Sequence, residues 1–305
     1  MSSLEASVLE TRRAQRDWIH PLLAYELRRR AQHPTFTLLL GMWLALIIGS
    51  ALLIYLVGHV GAQFDPEALS GIAPSAALTM AVLCIALAIF VSPGLTSTAF
   101  CSERVRGMLR LLHLTPAGIA GAVWFKQLAA WSVTVVLLVM PLPVVGLSLV
   151  QGVPEQPVVL IATASIALSA SWLFCALGLF CSGFVQRRAL ATASAYLAAV
   201  GISFALPAIV AVNLFALLAD LPWVRGGILG AAADLIGWAG LSLSAPSAAV
   251  LTLADMLDDN PVSFSNTIVL RGAWSWVFLS AAYWVAGTAL VGLTVRRLCR
   301  VVESG

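Results

Sequence analysis

Six long apolar runs divide the chain, and each is long enough to cross a lipid bilayer. The runs are Phe36 to Val57, Ser75 to Thr96, Leu128 to Val150, Val158 to Cys181, Leu190 to Leu218 and Trp274 to Val295. A helix of about 20 apolar residues spans the hydrocarbon core, and these runs are too uniformly apolar for the alternating strands of an outer-membrane barrel. The pattern predicts an all-α integral membrane protein in which residues 35–305 form a single domain of six transmembrane helices. Pro141, Pro143 and Pro207 lie inside these runs and predict local kinks.

A mixed pattern precedes the first run, where apolar residues recur at helical spacing beside charged ones. These residues are Ile19, Leu22, Leu23, Glu26, Leu27 and Arg28. Because Pro21 and Pro34 mark helix boundaries, we interpret residues 1–34 as a cytoplasmic tail followed by an amphipathic helix at the inner membrane interface, in contact with membrane lipid. The alternative is a basic tail that only sets the orientation. The polar stretch Met1 to Arg16 lacks the apolar core of a secretory signal.

One further apolar segment, Trp223 to Ala245, lies before the last run. It contains Arg225 and Asp234, and a seventh span there would move the C-terminal arginines to the other side of the membrane. We therefore expect a re-entrant or interfacial helix within an outer loop at residues 219–272.

The basic residues are distributed unequally between the two sides of the membrane. An even number of spans puts both termini on one side with the loops around Glu103 and Gln186, and that side holds all but two of the 17 Lys and Arg residues. The exceptions are Arg225 and Arg271. The positive-inside rule predicts a multi-pass protein of the inner (plasma) membrane with both termini cytoplasmic. The net charge of +3 then reflects topology, and we expect no nucleic-acid partner.

Chemical motifs are missing from the sequence. The six runs contain no Asp, Glu, Lys, Arg or His, so we expect no proton relay or ion coupling at membrane depth. The only lysine, Lys126, lies between Phe125 and Gln127, which excludes a phosphate-binding P-loop. The five cysteines show no metal-site spacing. We expect no catalytic residue, metal site or cofactor in this chain.

The most informative polar segment is Phe100 to Pro116, between the second and third runs. It is charged, and its apolar residues Val105, Met108, Leu109 and Leu112 have helical spacing. A short amphipathic helix between two spans is a rigid lever on which a soluble partner can act. The alternative is a basic loop that only anchors the topology.

Part of this segment resembles a motif of ABC-2-type exporter permeases, Glu-Arg-Glu-x-Gly-Thr-Leu-Glu-Leu-Leu-Leu-x-Thr-Pro. The matching positions are Glu103, Arg104, Gly107, Leu109, Leu111, Leu112, Thr115 and Pro116. The stretch from His20 to Arg28 resembles the elbow helix that opens many of these permeases, and the six spans with a large outer loop resemble their layout. The sequence departs from the motif, and becomes more basic, at Val105, Met108, Arg110 and His113.

The resemblance implies a permease subunit of an ATP-driven ABC exporter. A second permease subunit, identical or different, would complete the pathway, and a separate cytoplasmic ATP-binding subunit would bind ATP and Mg, so this chain would not be an enzyme. The segment between helices 2 and 3 would be the coupling helix, oriented by ion pairs of Glu103 and Arg104. The implied partner-binding residues are Glu103, Arg104, Val105, Gly107, Met108, Leu109, Leu112, Thr115 and Pro116. The alternative function is a structural or docking subunit of a larger membrane complex.

Overall fold

The regular structure of the protein is helical throughout the part that the structure describes. The computed structural model describes residues 23, 25–30, 32, 34–63, 72–105, 118–144, 156–205, 207–209, 241–250 and 275–303. Its main helices are α1 (Pro34–Ala62), α2 (Ile72–Phe90), α3 (Ser92–Thr96), α4 (Ala99–Val105), α5 (Gly118–Val139), α6 (Gln156–Phe184), α7 (Arg188–Val200) and α8 (Ser275–Glu303). A π-helical turn, Gly201–Ala205, continues α7.

Six stretches of these helices are long and apolar enough to cross a membrane. They are Pro34–Gly61, Leu78–Cys101, Gly118–Val144, Leu160–Phe184, Arg188–Ile209 and Ser275–Val301. Within the described residues, the prediction of an all-helical protein with six helices long and apolar enough to span a membrane is confirmed. The predicted elbow and coupling helices remain predictions, because much of each lies outside the described residues.

Two spans differ from the prediction in ways that particular residues explain. The third span, helix α5, begins at Gly118 instead of Leu128, so Lys126 lies inside it. The predicted run stops short of this lysine because a charge is costly in a span, whereas the fold accommodates it by pairing it with carboxylates. The second span is interrupted at Val91 and resumes as α3. Pro93 explains the interruption, because it has no N–H to donate to the carbonyl four residues earlier.

The centre of the bundle is α6, which contacts α2, α3, α5, α7 and α8. Small residues on α6 permit this close approach, since a membrane gives apolar helices no reason to associate beyond good packing and polar bonds. At Gly178 an added Cβ would overlap Thr96 and lie 2.7 Å from the Pro93 carbonyl oxygen of α3. On the α8 side, Gly287 leaves room for the indole of Trp172, whose Nε1 would be 2.8 Å from an added Cβ.

Prolines free two backbone carbonyls inside the bundle, and side chains of neighbouring segments bond to both. Pro141 cannot donate to the carbonyl of Leu137, which instead accepts a 2.9 Å hydrogen bond from Trp43 Nε1 of α1. Pro207 likewise leaves the carbonyl of Ser203, in the π-helical turn, to accept a 2.6 Å hydrogen bond from Ser244 Oγ. The kinks expected at these two prolines thus coincide with helix irregularities, and the two freed carbonyls find donors within the protein.

Ser244 belongs to a described part of the predicted outer loop, residues 241–250. This part is packed inward: Ala245 and Ala248 are buried in the same cluster as Phe174 and Leu279. The hydroxyl of Tyr283 in α8 donates to a carbonyl of the segment, that of Leu243, at 2.7 Å. The segment therefore packs among the helices. Residues 223–240 of the predicted element lie outside the described part, so the re-entrant or interfacial helix stays a prediction.

Candidate functional site

The predicted lever and interfacial helix are described in part. Helix α4 carries Glu103 and Arg104 and ends at Val105, and residues 25–30 are helical. The remaining predicted lever residues lie outside the described part of the chain: Gly107, Met108, Leu109, Leu112, Thr115 and Pro116. Of the predicted interfacial residues, Leu23, Glu26, Leu27 and Arg28 are described, whereas Ile19 and Leu22 are not.

Lys126 joins these two regions. Its Nζ lies 2.6 Å from Glu103 Oε1 of α4 and 3.1 Å from Glu26 Oε1 of the segment 25–30. All three side chains are largely buried, with 10% of Lys126, 15% of Glu26 and 17% of Glu103 exposed. Removing one member of such a buried group leaves an uncompensated charge, which typically costs about 3–5 kcal/mol. The ion pairs therefore hold α4, α5 and the segment 25–30 in a fixed arrangement.

Arg30 supplies a second positive charge beside this group. Burial lowers the pKa of Arg30, and the negative charge of Glu26 opposes that effect. An arginine remains protonated in proteins, so it contributes a full charge here. One guanidinium nitrogen also donates a 3.3 Å hydrogen bond to the carbonyl of Leu95 in α3. The cluster of Glu26, Arg30, Glu103 and Lys126, which we call the charged cluster, is formally neutral.

A second set of bonds ties α4 to the C-terminal end of α6. Arg104 donates a 2.7 Å hydrogen bond to the carbonyl of Gly183, and the thiol of Cys101 lies 3.1 Å from the carbonyl oxygen of Val185. The last carbonyls of a helix have no partner within that helix, and a cation there is also favoured by the helix dipole. The short helix α4 is consequently bonded to α5 through Glu103 and to α6 through Arg104.

The sequence singles out Glu26 as a charged residue of the interfacial helix, and Glu103 and Arg104 as residues of the lever. Glu103 and Arg104 were expected to orient the lever by ion pairs, and in the structure both bond to groups of this chain. Lys126 was missed as a functional residue. Its one signal was being the only lysine in the chain, and nothing local in the sequence indicates which carboxylates it meets.

These ion pairs and hydrogen bonds hold α4, α5, α6 and the segment 25–30 together. Among the described residues, no group of three or more His, Cys, Asp or Glu side chains is placed to hold a metal ion. Comparison of the sequence with protein-family models and with curated proteins finds no match.

Proposed function

We propose that this chain is the membrane-spanning permease subunit of an ATP-driven ABC exporter and works with a separate cytoplasmic ATPase subunit. The observation that carries the proposal is the attachment of α4. The motif-like segment that starts at Glu103 begins on a helix whose first charged residue is ion-paired to Lys126. The lever can transmit a displacement to the spans only if its first residues are bonded to them.

The contacts at the start of the lever connect it to the transmembrane helices. A displacement of the segment after Val105 acts on α5 through the Glu103–Lys126 pair and on α6 through the bond from Arg104 to Gly183. Helix α6 contacts most of the other spans, so its movement reaches them directly. Lys126 also passes the displacement to the segment 25–30 through Glu26. Packed side chains and hydrogen bonds that connect two sites are one means by which a displacement at one site reaches the other.

The proposal assigns the remaining tasks to other chains. ATP and Mg bind to the ATPase, whose closure pushes the lever from the cytoplasm, and a second permease subunit completes the transport pathway. Both termini are then cytoplasmic and the chain lies in the inner (plasma) membrane, as the distribution of basic residues predicts.

The test replaces Leu109 and Leu112 of the lever with Asp. The sequence predicts that these residues belong to the apolar face of the lever, which in this proposal enters a groove on the ATPase, where unpaired buried charge costs several kcal/mol. The Asp variant should reach the membrane at nearly the normal level and fail to co-purify with the ATPase encoded or expressed alongside it. Both quantities are measured by quantitative immunoblotting of membranes and of affinity-purified complexes.

The matched control is Arg187→Gln with Arg188→Gln, in the other loop on the same side. Both arginines are exposed, and we expect ATPase association to stay within twofold of the parent. If the Leu109 and Leu112 variant binds the ATPase as well as the parent does, the assignment of the coupling helix is wrong. The structural or docking role then becomes the better explanation.

A further inference from the structure

A cavity of about 600 Å³ lies beside the charged cluster. Its polar side is formed by Arg29 together with the charged cluster, and its apolar side includes Phe36 and Leu39 of α1, Phe90 of α2 and Val133 of α5. The volume is within the range of roughly 300–1,000 Å³ that is usual for ligand pockets. The cavity therefore has room for a ligand with a charged part and an apolar part.

The charges around this cavity are not balanced. Lys126 is paired with two carboxylates, and Arg30 lies close enough to Glu26 for its pKa to be affected. The charged cluster is neutral, so Arg29 is the surplus. It is exposed, and within the described part of the chain no acidic side chain forms an ion pair with it. The lining thus carries one net positive charge.

The order of polar and apolar groups matches the edge of a membrane. Arg29 precedes α1, which begins its apolar span at Pro34. Leu39 lies five residues further, about 7 Å deeper at the rise of an α-helix. Arg29 therefore lies at the level of the lipid headgroups and Leu39 at the level of the first acyl carbons.

We propose that this cavity binds one membrane phospholipid with a single net negative charge, of the phosphatidylglycerol class. Its phosphate lies beside Arg29, whose guanidinium is suited to phosphate oxygens. The start of an acyl chain lies against Phe36, Leu39 and Phe90. Phosphatidylcholine and phosphatidylethanolamine bind more weakly, because each carries its own cation into a site that is already positive. The cavity shares the charged cluster with the proposed coupling route, but lipid binding by the purified chain is measured without the ATPase and without transport.

The experiment is native mass spectrometry of the purified full-length chain in a neutral detergent. The protein is titrated with phosphatidylglycerol, phosphatidylethanolamine or phosphatidylcholine of the same acyl composition. We expect one phosphatidylglycerol to be retained per chain, with an affinity about fivefold above that of the zwitterionic lipids. Arg29→Gln should reduce the affinity for phosphatidylglycerol to the level of phosphatidylcholine. Arg187→Gln, which removes an exposed arginine outside the cavity, should retain the full preference.

Three results would overturn the proposal. The first is equal affinity of the parent for all three lipids, and the second is an unchanged preference in the Arg29→Gln variant. The third is displacement of the lipid by an equal concentration of glycerophosphoglycerol, the headgroup without acyl chains, which would identify a site for soluble anions. Because Arg29 is exposed, its variant should unfold at the same temperature as the parent, and that measurement shows that any loss of binding is local.

Discussion

Helices α1 and α6 are similar in hydropathy and opposite in burial. The mean hydropathy is 2.4 for the span in α1 and 1.9 for the span in α6, yet 11% of the first and 72% of the second is buried inside the protein. Lipid tails are as apolar as leucine, so hydropathy reports only that a helix can cross the membrane. It does not report which helix occupies the centre of the bundle.

Residue size distinguishes the two helices better than hydropathy does. The buried surface of α6 is rich in small side chains: Ala162, Ala167, Ser169, Ala170, Ser171, Cys175, Ala176 and Ser182. Helix α1 instead exposes large ones, which include Leu38, Met42, Ile48, Leu52, Leu53 and Leu56. The backbones of neighbouring helices can approach α6 closely. Helix α1 lies at the periphery, where it is held by fewer contacts and by polar bonds of the basic segment that precedes it. The comparison predicts that stability is lost at α1 when a specific polar group is removed, and at α6 when side-chain volume is added.

The largest effect is expected from the ion pairs that anchor the segment before α1. Lys126→Met removes the cation that Glu26 and Glu103 share, so Arg30 is the one cation of the charged cluster that remains for two buried carboxylates. We expect the free energy of unfolding to fall by about 3–5 kcal/mol, measured by denaturant or thermal unfolding of the purified chain in detergent. Limited proteolysis should also cut the segment 25–30 faster, because its bond to α5 is lost.

A double variant serves as the control for that substitution. Lys126→Met combined with Glu103→Gln leaves one carboxylate, Glu26, beside one cation, Arg30, so the charged cluster is neutral again. It should recover most of the lost stability, because the cost lies mainly in burying charge without a partner. Equal stability of the single and double variants would show that unpaired buried charge is not the source of the loss.

The next effect concerns the close packing of α6. Gly178→Ala places a methyl group against Thr96 and 2.7 Å from the backbone oxygen of Pro93, which has little freedom to move. The overlap also disturbs the 2.8 Å hydrogen bond from Thr96 Oγ1 to the carbonyl of Cys175. We expect a loss of about 2–3 kcal/mol, seen as a lower unfolding midpoint.

Gly49→Ala in α1 makes the same chemical change in open space, because nothing lies within 4 Å of the added Cβ. It should be neutral or stabilise the protein by up to about 1 kcal/mol through helix propensity. Similar losses at the two glycines would contradict the contrast between a crowded α6 and an uncrowded α1.

The same contrast explains which features could be predicted from the sequence. The six membrane-spanning helices in the described part of the chain were predicted correctly, because each follows from the length of an apolar run. The predicted start of α5 is wrong, because the prediction allows no lysine within a span. In the structure, carboxylates from two other segments compensate the charge of this lysine. Glu26 and Glu103 were selected from local patterns, but their meeting at Lys126 depends on packing between residues as far as 100 positions apart.

The smallest expected effect tests the indole bond between α1 and α5. Trp43 Nε1 donates to the carbonyl of Leu137 at 2.9 Å, and Pro141 provides no N–H for that carbonyl. Trp43→Phe keeps most of the ring but leaves the carbonyl without its donor, so we expect a loss of about 1–2 kcal/mol in the unfolding experiment. Trp131→Phe is the matched control. Its Nε1 donates to the carbonyl of Leu168 at 3.3 Å, and that carbonyl keeps an intrahelical partner because Trp172 has an N–H.

The control substitution should therefore cost less than about 1 kcal/mol. A larger loss at Trp131 than at Trp43 would mean that crowding around α6 outweighs a polar bond even for an aromatic ring. Helix α1 would then be attached mainly by its apolar contacts, and the contrast drawn from residue size would apply to α6 alone. A larger loss at Trp43 would instead show that a carbonyl freed by proline makes the peripheral helix dependent on a single donor.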